Sequence, residues 1–512
     1  MRIWLDALPD DNIYANECDN ECANDCNAPS FQQSMAILPL MDGDVAAVRS
    51  RALQQASPLH IQECSPERWL VCNPTGSGQI AVLDAEALAL FQRLSSPCTL
   101  AQLLREWPEW SGESIEKLLA LFYKLGFLKY PGAQIPVPLD NGVKTLTAWL
   151  HVTNECNLRC HYCYLQKTHE DMSAETGRKA IEAIFRSALR HQIKHVRLKY
   201  AGGEASLHLR NVLALHDYAA QLAHEHDIGF AAVLLSNGVT IPQKTIEQLK
   251  ARQIDVMISL DGLGIYHDSQ RQFANGYGSA RYVLRTIERL LASELIPHIS
   301  VTVSQRNLQG LPALIEYILE RDLPFSLNYY RDNECSAHIA DLRFADEQII
   351  AAMREVFAHI GDKLPARKLL GNLLDKANMH LPHRRTCGVG QNYLVIDQHG
   401  GVAKCQAEIT HIVSTIRADD PLQEVREDSS GVQGPPVEEK EGCRTCTWRY
   451  WCTGGCPLLT YRATGRYDVK SPNCTIYTAL FPEVLLLEAR RLLQYKTPVE
   501  VSPNKMWAPA LP

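Results

Sequence analysis

The sequence predicts an α/β fold: a partial (β/α)6 barrel, preceded by a winged-helix-like module and followed by a cysteine-rich domain. Three observations carry this expectation. Between about 146 and 340, strand-like and helix-like segments alternate about six times, as a parallel sheet requires. Ahead of them, short apolar runs lead into three helical periods without such alternation. Ten of the 17 cysteines fall in two dense arrays, one at 156–163 and one at 387–474.

In chain order, residues 1–34 are acidic and irregular, with Cys18, Cys22 and Cys26 evenly spaced in ECDNECANDC. They read as a poorly ordered tail, with a metal-binding patch or a segment resembling a modifiable peptide as the sharper alternatives. Residues 35–135 hold two strand-like runs, MAILPL and RWLVCNP. Three helices follow, DAEALALFQRL, TLAQLLREW and GESIEKLLALFYKLGFL. Asp84, Thr99 and Ser111 or Glu113 stand where helix starts want short polar side chains, and Gly126 suits the last helix end. Cys64, Cys72 and Cys98 lie among apolar residues and read as core or free thiols. PVPLDNGVKT (136–145) is a linker.

From 146 to 340 the strands are LTAWLHV, HVRLKYAG, GFAAVLLSNG, DVMISLDG, PHISVTVS and FSLNYY, each separated from the next by a helical period. Six repeats are fewer than eight, so the barrel is expected to be open. Residues 341–386 read as a helical connection, 387–480 as a metal-stapled region short on long elements, and 481–512 as a C-terminal helix and tail.

Composition narrows the function. A chain of 512 residues suits two to four domains, and 46% hydrophobic with 21% charged residues is ordinary for a globular protein. Fifty-one basic residues against 58 acidic ones leave a net charge of −7, which does not favour nucleic acid. MRIWLDALPDD has neither a basic n-region nor an apolar h-region, and no run of eighteen apolar residues follows, so a cytoplasmic protein without a membrane partner is expected. In such a chain, clustered cysteines mean metal or catalytic thiols rather than disulfides.

The first array, CNLRCHYC, places Cys156, Cys160 and Cys163 on one loop after the first barrel strand. That is where parallel α/β folds put their active sites. Thiolates select zinc, copper(I) or iron–sulfur. His161 is too cramped to complete a zinc site. A cubic iron–sulfur cluster on three cysteines would keep one iron open for a ligand.

This motif resembles the signature of radical S-adenosylmethionine (SAM) enzymes. The resemblance implies a radical SAM barrel, a [4Fe–4S] cluster on Cys156, Cys160 and Cys163, and SAM on the open iron. SAM would be cleaved to a 5′-deoxyadenosyl radical that abstracts hydrogen. YAGGEAS (200–206) is similar to the family's Gly-Gly-Glu segment, with Ala205 where Pro is usual. It implies Gly202, Gly203 and Glu204 as cofactor contacts, Glu204 taking the methionine ammonium. LSNG and SLDG resemble the family's next strand ends, implying Ser236 and Asn237, then Ser259 and Asp261. HDSQR adds Arg271 as a carboxylate or substrate contact, and Tyr162 would pack near the adenine. A reductant such as flavodoxin or ferredoxin is implied as partner.

The second array runs Cys387, Gly400-x4-Cys405, Cys443-x2-Cys446-x5-Cys452-x3-Cys456 and Cys474. One zinc on Cys443, Cys446, Cys452 and Cys456 is the plain alternative. The full pattern resembles the SPASM extension of radical SAM enzymes. That resemblance implies two auxiliary [4Fe–4S] clusters, one on Cys387, Cys405 and Cys456 and one on Cys443, Cys446, Cys452 and Cys474. The first lacks an evident fourth ligand. Cys335 is the nearest spare thiol and reads as a free one.

The N-terminal module is similar in pattern to the peptide-recognition element of ribosomal-peptide maturases, where a leader segment adds to a sheet edge. Together these resemblances imply a peptide or small protein as substrate, modified by hydrogen abstraction and then an oxidative thioether or carbon–carbon crosslink. Formylglycine formation on a sulfatase is the alternative on the same fold. A non-catalytic iron–sulfur carrier or scaffold is the alternative of another class.

Overall fold

The N-terminal module is built on an antiparallel sheet in this computed structural model, which describes residues 1–6, 48–134 and 144–502. MAILPL, most of the linker and Cys18, Cys22 and Cys26 lie outside the described residues. The elements of this module are β1 (Arg2–Leu5), β2 (Gln54–Gln55), β3 (His60–Ser65), β4 (Arg68–Cys72), β5 (Ile80–Asp84), α1 (Ala85–Arg93), α2 (Leu100–Glu106), α3 (Gly112–Lys124) and β6 (Leu128–Lys129). The helix starts follow the expected chemistry. Asp84 accepts from Ala87 N, Thr99 and Gln102 form a reciprocal capping box, and Ser111 accepts from Ser114 N. Gly126, at φ +71°, turns the chain after α3 so that Phe127 N donates to Phe122 O at 2.9 Å.

One sheet order was not foreseen. The first residues, expected in a disordered tail, form β1, which pairs antiparallel with β5 through Ile3↔Leu83 and Leu5↔Ala81. The last described strand, β16 (Val499–Glu500), pairs in turn with β1, giving the order β16-β1-β5-β4-β3. Ile3, Leu5 and Val499 are buried in the same core as Phe91, Leu118 and Phe122. Burial of those side chains, invisible to a local reading of an acidic segment, explains the difference.

The barrel elements are β7 (Thr145–His151), α4 (Ala174–Arg190), β8 (His195–Ala201), α5 (Leu209–Glu225), β9 (Gly229–Ser236), α6 (Gln243–Ala251), β10 (Ile254–Ser259), α7 (Ile265–Asp268), α8 (Ala280–Ala292), β11 (His298–Val303), α9 (Leu311–Glu320) and β12 (Phe325–Tyr329). Strands β7 to β12 lie side by side in chain order, every pair parallel. The open barrel expected from the alternation is present.

The cysteine-rich region holds α10 (Asp346–Asp362) before it, then β13 (Tyr393–Ile396), β14 (Gly401–Ala403), β15 (Ser414–Thr415), α11 (Pro421–Glu427), α12 (Arg449–Cys452), α13 (Pro457–Thr464) and α14 (Cys474–Tyr495). It does not have a sheet of its own. β13 adds parallel to the free side of β7, and β14 and β15 continue antiparallel, making one nine-stranded sheet. Helix α14 packs along α10 and crosses to the N-terminal sheet, where Arg491, 3% exposed, pairs with Glu488 and Asp6. No helix among the described residues is long and apolar enough to cross a membrane.

Candidate functional site

Strand β7 ends at His151, and the loop that follows carries the first array. Its path is set by the next strand end. Gly203 N donates to Thr153 O at 2.6 Å and Glu204 N to Glu155 O at 2.8 Å. A Cβ on Gly203 would sit 2.2 Å from Glu155 O and 2.6 Å from Asn154 O, both backbone atoms. Only glycine lets the two loops meet so closely. The sequence motif thus has a local reason.

Cys156, Cys160 and Cys163 converge there, each sulfur with a donor aimed at it. Cys156 Sγ accepts from Leu158 N at 3.4 Å and lies 3.8 Å from Asn237 Nδ2. Arg271 Nη1 stands 3.8 Å from Cys160 Sγ, and Lys167 Nζ 3.2 Å from Cys163 Sγ. Burial pushes the Cys160 thiol up to about 12 despite Arg271, and raises Cys156 as well. Burial disfavours these sulfurs as free thiolates, and the cations and amide aimed at them suit sulfur that carries negative charge on a metal. The donor set therefore fits a [4Fe–4S] cluster.

Glu204, 2% exposed, lies beside this loop. Its carboxylate accepts from Ser236 Oγ at 2.8 Å, Asn237 N at 2.7 Å and Ser206 N at 3.2 Å, all neutral donors. Ser236 and Asn237, expected at the ribose, hold Glu204 and the Cys156 side of the loop in this geometry. Gly202 packs its Cα against Thr153, where a Cβ would meet the carbonyl at 2.4 Å.

Asp261 departs further from expectation. It is fully buried, and both oxygens are taken by protein donors. Oδ1 accepts from Thr302 N at 2.8 Å; Oδ2 accepts from Tyr162 OH at 2.5 Å and Arg271 Nε at 2.8 Å. Asp261 is a hub that fixes Tyr162 and Arg271 rather than a side chain facing a ligand. Burial works against the Arg271 charge, but the charge and hydrogen bond of Asp261 together with Tyr162 and Cys160 more than offset it and keep Arg271 firmly protonated, and Arg271 stacks over the Tyr162 ring at 5.3 Å. Ser259 ends β10 half-buried, paired in register with Ser300.

The second array forms two groups. Cys387, Cys405 and Cys456 share a small apolar cluster with Val389, Val432 and Leu458. Gly400, at φ +89°, closes the β13–β14 hairpin in which Asp397 Oδ1 accepts from Gly401 N at 2.7 Å, and Cys405 follows β14 directly. Around Cys443, Cys446, Cys452 and Cys474 the thiols act on one another. Burial first, then these neighbours, push Cys443 up to about 11 and Cys452 up to about 12.

Sequence reasoning missed three residues here. Lys440, 2% exposed, donates to Thr453 O at 2.8 Å and feels Cys443 and Cys452 of one group and Cys387 and Cys456 of the other. Tyr164, whose hydroxyl burial raises, lies within reach of both Cys163 and Cys405, so it stands between the two arrays. Lys167 faces Cys163. Single lysines and tyrosines have no sequence signature; only their neighbours give them meaning. Cys335 Sγ lies 3.6 Å from the Tyr164 carbonyl, beside the first array's loop.

Residues 150–317 match the family model of the Radical SAM superfamily. An uncharacterized protein of Methanocaldococcus jannaschii is 32% identical over 180 residues, 35% of this chain and 59% of that protein, so this chain spans less than two thirds of its length. The PqqA peptide cyclase of Bradyrhizobium diazoefficiens is 21% identical over 65% of this chain and 86% of its own. Among solved structures, native anSMEcpe with bound AdoMet and Cp18Cys peptide superposes with a TM-score of 0.55 at 18% identity, covering 68% of this chain and 99% of that one. That likeness concerns the fold.

Proposed function

We propose, from the premise that residues 150–317 form a radical SAM domain, that this enzyme modifies a peptide by hydrogen abstraction followed by an oxidative crosslink. The observation that carries the reading is the union of three donor-ringed thiols with the Glu204 carboxylate at adjoining strand ends. A non-catalytic iron–sulfur carrier has no use for that carboxylate.

When bound, a [4Fe–4S] cluster and SAM supply a 5′-deoxyadenosyl radical that takes hydrogen from an unactivated carbon. The chain's own residues do the rest. Cys156, Cys160 and Cys163 would hold the cluster. Arg271 and Lys167 offset the charge of the sulfurs. Glu204, held by Ser236 and Asn237, receives the ammonium of the methionine moiety. Gly202 and Gly203 let that strand end approach the loop, and Asp261 fixes Tyr162 and Arg271.

The two groups of the second array are read as auxiliary [4Fe–4S] sites, on Cys387, Cys405 and Cys456 and on Cys443, Cys446, Cys452 and Cys474. Bond formation from a substrate radical leaves one surplus electron, and a nearby cluster can accept it. Tyr164, which feels both Cys163 and Cys405, offers a protein contact between the arrays. Support for a peptide substrate comes from the relative named a PqqA peptide cyclase and from the neighbour with a bound peptide. A flavodoxin or ferredoxin is the expected reductant.

The test is anaerobic: reconstituted, reduced protein with SAM, assayed for 5′-deoxyadenosine. Formation above a Cys156→Ala control is expected, with Glu204→Gln weakening SAM binding at least about tenfold. Equal yields from wild type and the Cys156 variant would refute the reading.

A further inference from the structure

The inner face of the barrel is lined unlike a core. In strands β7 to β12, alternate residues such as Leu150, Leu198, Leu234 and Val301 are buried in the cluster that also holds the helix residues Ile184 and Val212. On the opposite face stand Ser259, Ser300, Thr302 and Asn328, all half-buried, and half-buried Trp149 on β7. A closed barrel fills its interior with layers of bulky branched side chains. An interior of hydroxyls, an amide and an indole is built as a chamber instead. Its charges are unequal. β8 contributes Arg197 and Lys199 to this face, against one carboxylate, Asp255 on β10, which feels Arg197. Lys199, 4% exposed, stands two residues further along β8 towards the first array.

We propose that this chamber receives an acidic side chain of the peptide, with Lys199 and the Trp149 indole N–H as its carboxylate contacts. The inference rests on the function proposed above and names the kind of residue brought to the site. Trp149 and Lys199 are register partners on adjoining strands, so their side chains rise side by side from one face. Trp149 Nε1 is buried and has no hydrogen-bond partner among the described residues. An indole N–H and an ammonium are both donors, and a carboxylate brings two acceptor oxygens to them. Three strand residues, about 10 Å, separate Lys199 from Gly202, where β8 meets the first array's loop. An acid held at that depth has its own carbons between the lysine and the loop, where hydrogen would be taken.

SAM carries a carboxylate of its own, and the same two donors would suit it. Saturating SAM in the experiment separates the two sources, because its carboxylate is then in place before the peptide's acid arrives. The chain's net charge of −7 works against non-specific binding of an acid, so a preference for one has to come from a local site.

The experiment uses the full-length, reconstituted holoprotein in the oxidised state, so that SAM is bound and not cleaved. N-acetyl-glutamate methylamide and its glutamine counterpart are titrated and followed by saturation-transfer NMR. The acid is expected to bind at least about tenfold tighter than the amide. Lys199→Met should abolish that preference, and Lys199→Arg should keep most of it. Trp149→Phe, which keeps a ring and removes the N–H, should weaken binding of the acid several-fold. Equal affinities in the wild type, binding of neither probe, or a preference that survives Lys199→Met overturns the inference. If Lys199→Met loses iron or melts early, Trp149→Phe decides, and an unchanged affinity for the acid overturns the inference. A SAM affinity that falls with Lys199→Met gives the lysine to SAM's carboxylate and overturns it as well. The 5′-deoxyadenosine assay is read separately. Equal probe affinities alongside 5′-deoxyadenosine formation overturn this inference alone, and absence of 5′-deoxyadenosine overturns the proposed function.

Discussion

At the scale of single residues, burial decides which charges matter. His267 is fully buried, its Nδ1 accepting from Asp261 N at 3.2 Å and its Nε2 bonded to Ser279 Oγ at 2.9 Å. Burial lowers its pKa to about 4. A histidine depressed in the folded state costs stability below its unfolded value of about 6.5, because only the unfolded chain can protonate. Stability should thus decline from pH 6.5 and level off near pH 4, by about 3 kcal/mol from this group. Thermal melts of wild type and His267→Gln over that range should show a smaller decline in the variant; parallel curves would contradict the assignment. Lys440 is the opposite case, a buried cation between two sets of thiols. If the second array holds clusters as proposed, a positive charge there favours the more negative, reduced state. Lys440→Met is expected to shift the second array's midpoint potentials to more negative values at unchanged iron content, read by an EPR-monitored redox titration.

At the scale of elements, the sequence was most legible where local chemistry agrees with tertiary demand. All three caps of the N-terminal helices stand at the expected residues, since Asp84, Thr99 and Ser111 act on their own helix ends. The βα alternation was equally readable because buried parallel strands are continuous apolar runs. Asp261 shows the limit. SLDG looks like a ligand-facing strand end, yet its carboxylate is claimed by Thr302, Tyr162 and Arg271, residues 41, 99 and 10 positions away. Strand β1 shows another: four residues ahead of an acidic stretch carry no period, and only their partner 80 positions on makes them a strand. The Gly-Gly-Glu loop belongs at this scale too. Gly203→Ala sets its Cβ against backbone carbonyls that have nowhere to move. It should destabilise by about 1–3 kcal/mol and lower iron incorporation at the first array, measured by melting and by iron assay; a variant with wild-type melting and iron would show the loop to be pliable.

At the scale of the whole molecule, the cysteine arrays divided in the sequence are drawn together by the chain's turn back onto its barrel. If each array binds as proposed, the reconstituted protein should hold about twelve iron atoms per chain, four per cubane. Replacing Cys387, Cys405 and Cys456 together by alanine should remove about four, leaving 5′-deoxyadenosine formation in place while crosslinking stops; retention of all the iron would return these thiols to a structural role. The nine-stranded sheet has one more consequence. Because β13 is zipped to β7 through Tyr393↔Thr147 and Ile396↔Leu150, the strand that runs into the Cys156 loop and the hairpin that leads to Cys405 are held in one register. The sheet acts as a ruler between the two arrays. A slip of one residue would move one array against the other by about 3.3 Å and turn β13's side chains to the wrong face, so the spacing of the arrays is set by backbone pairing and can change only in whole steps.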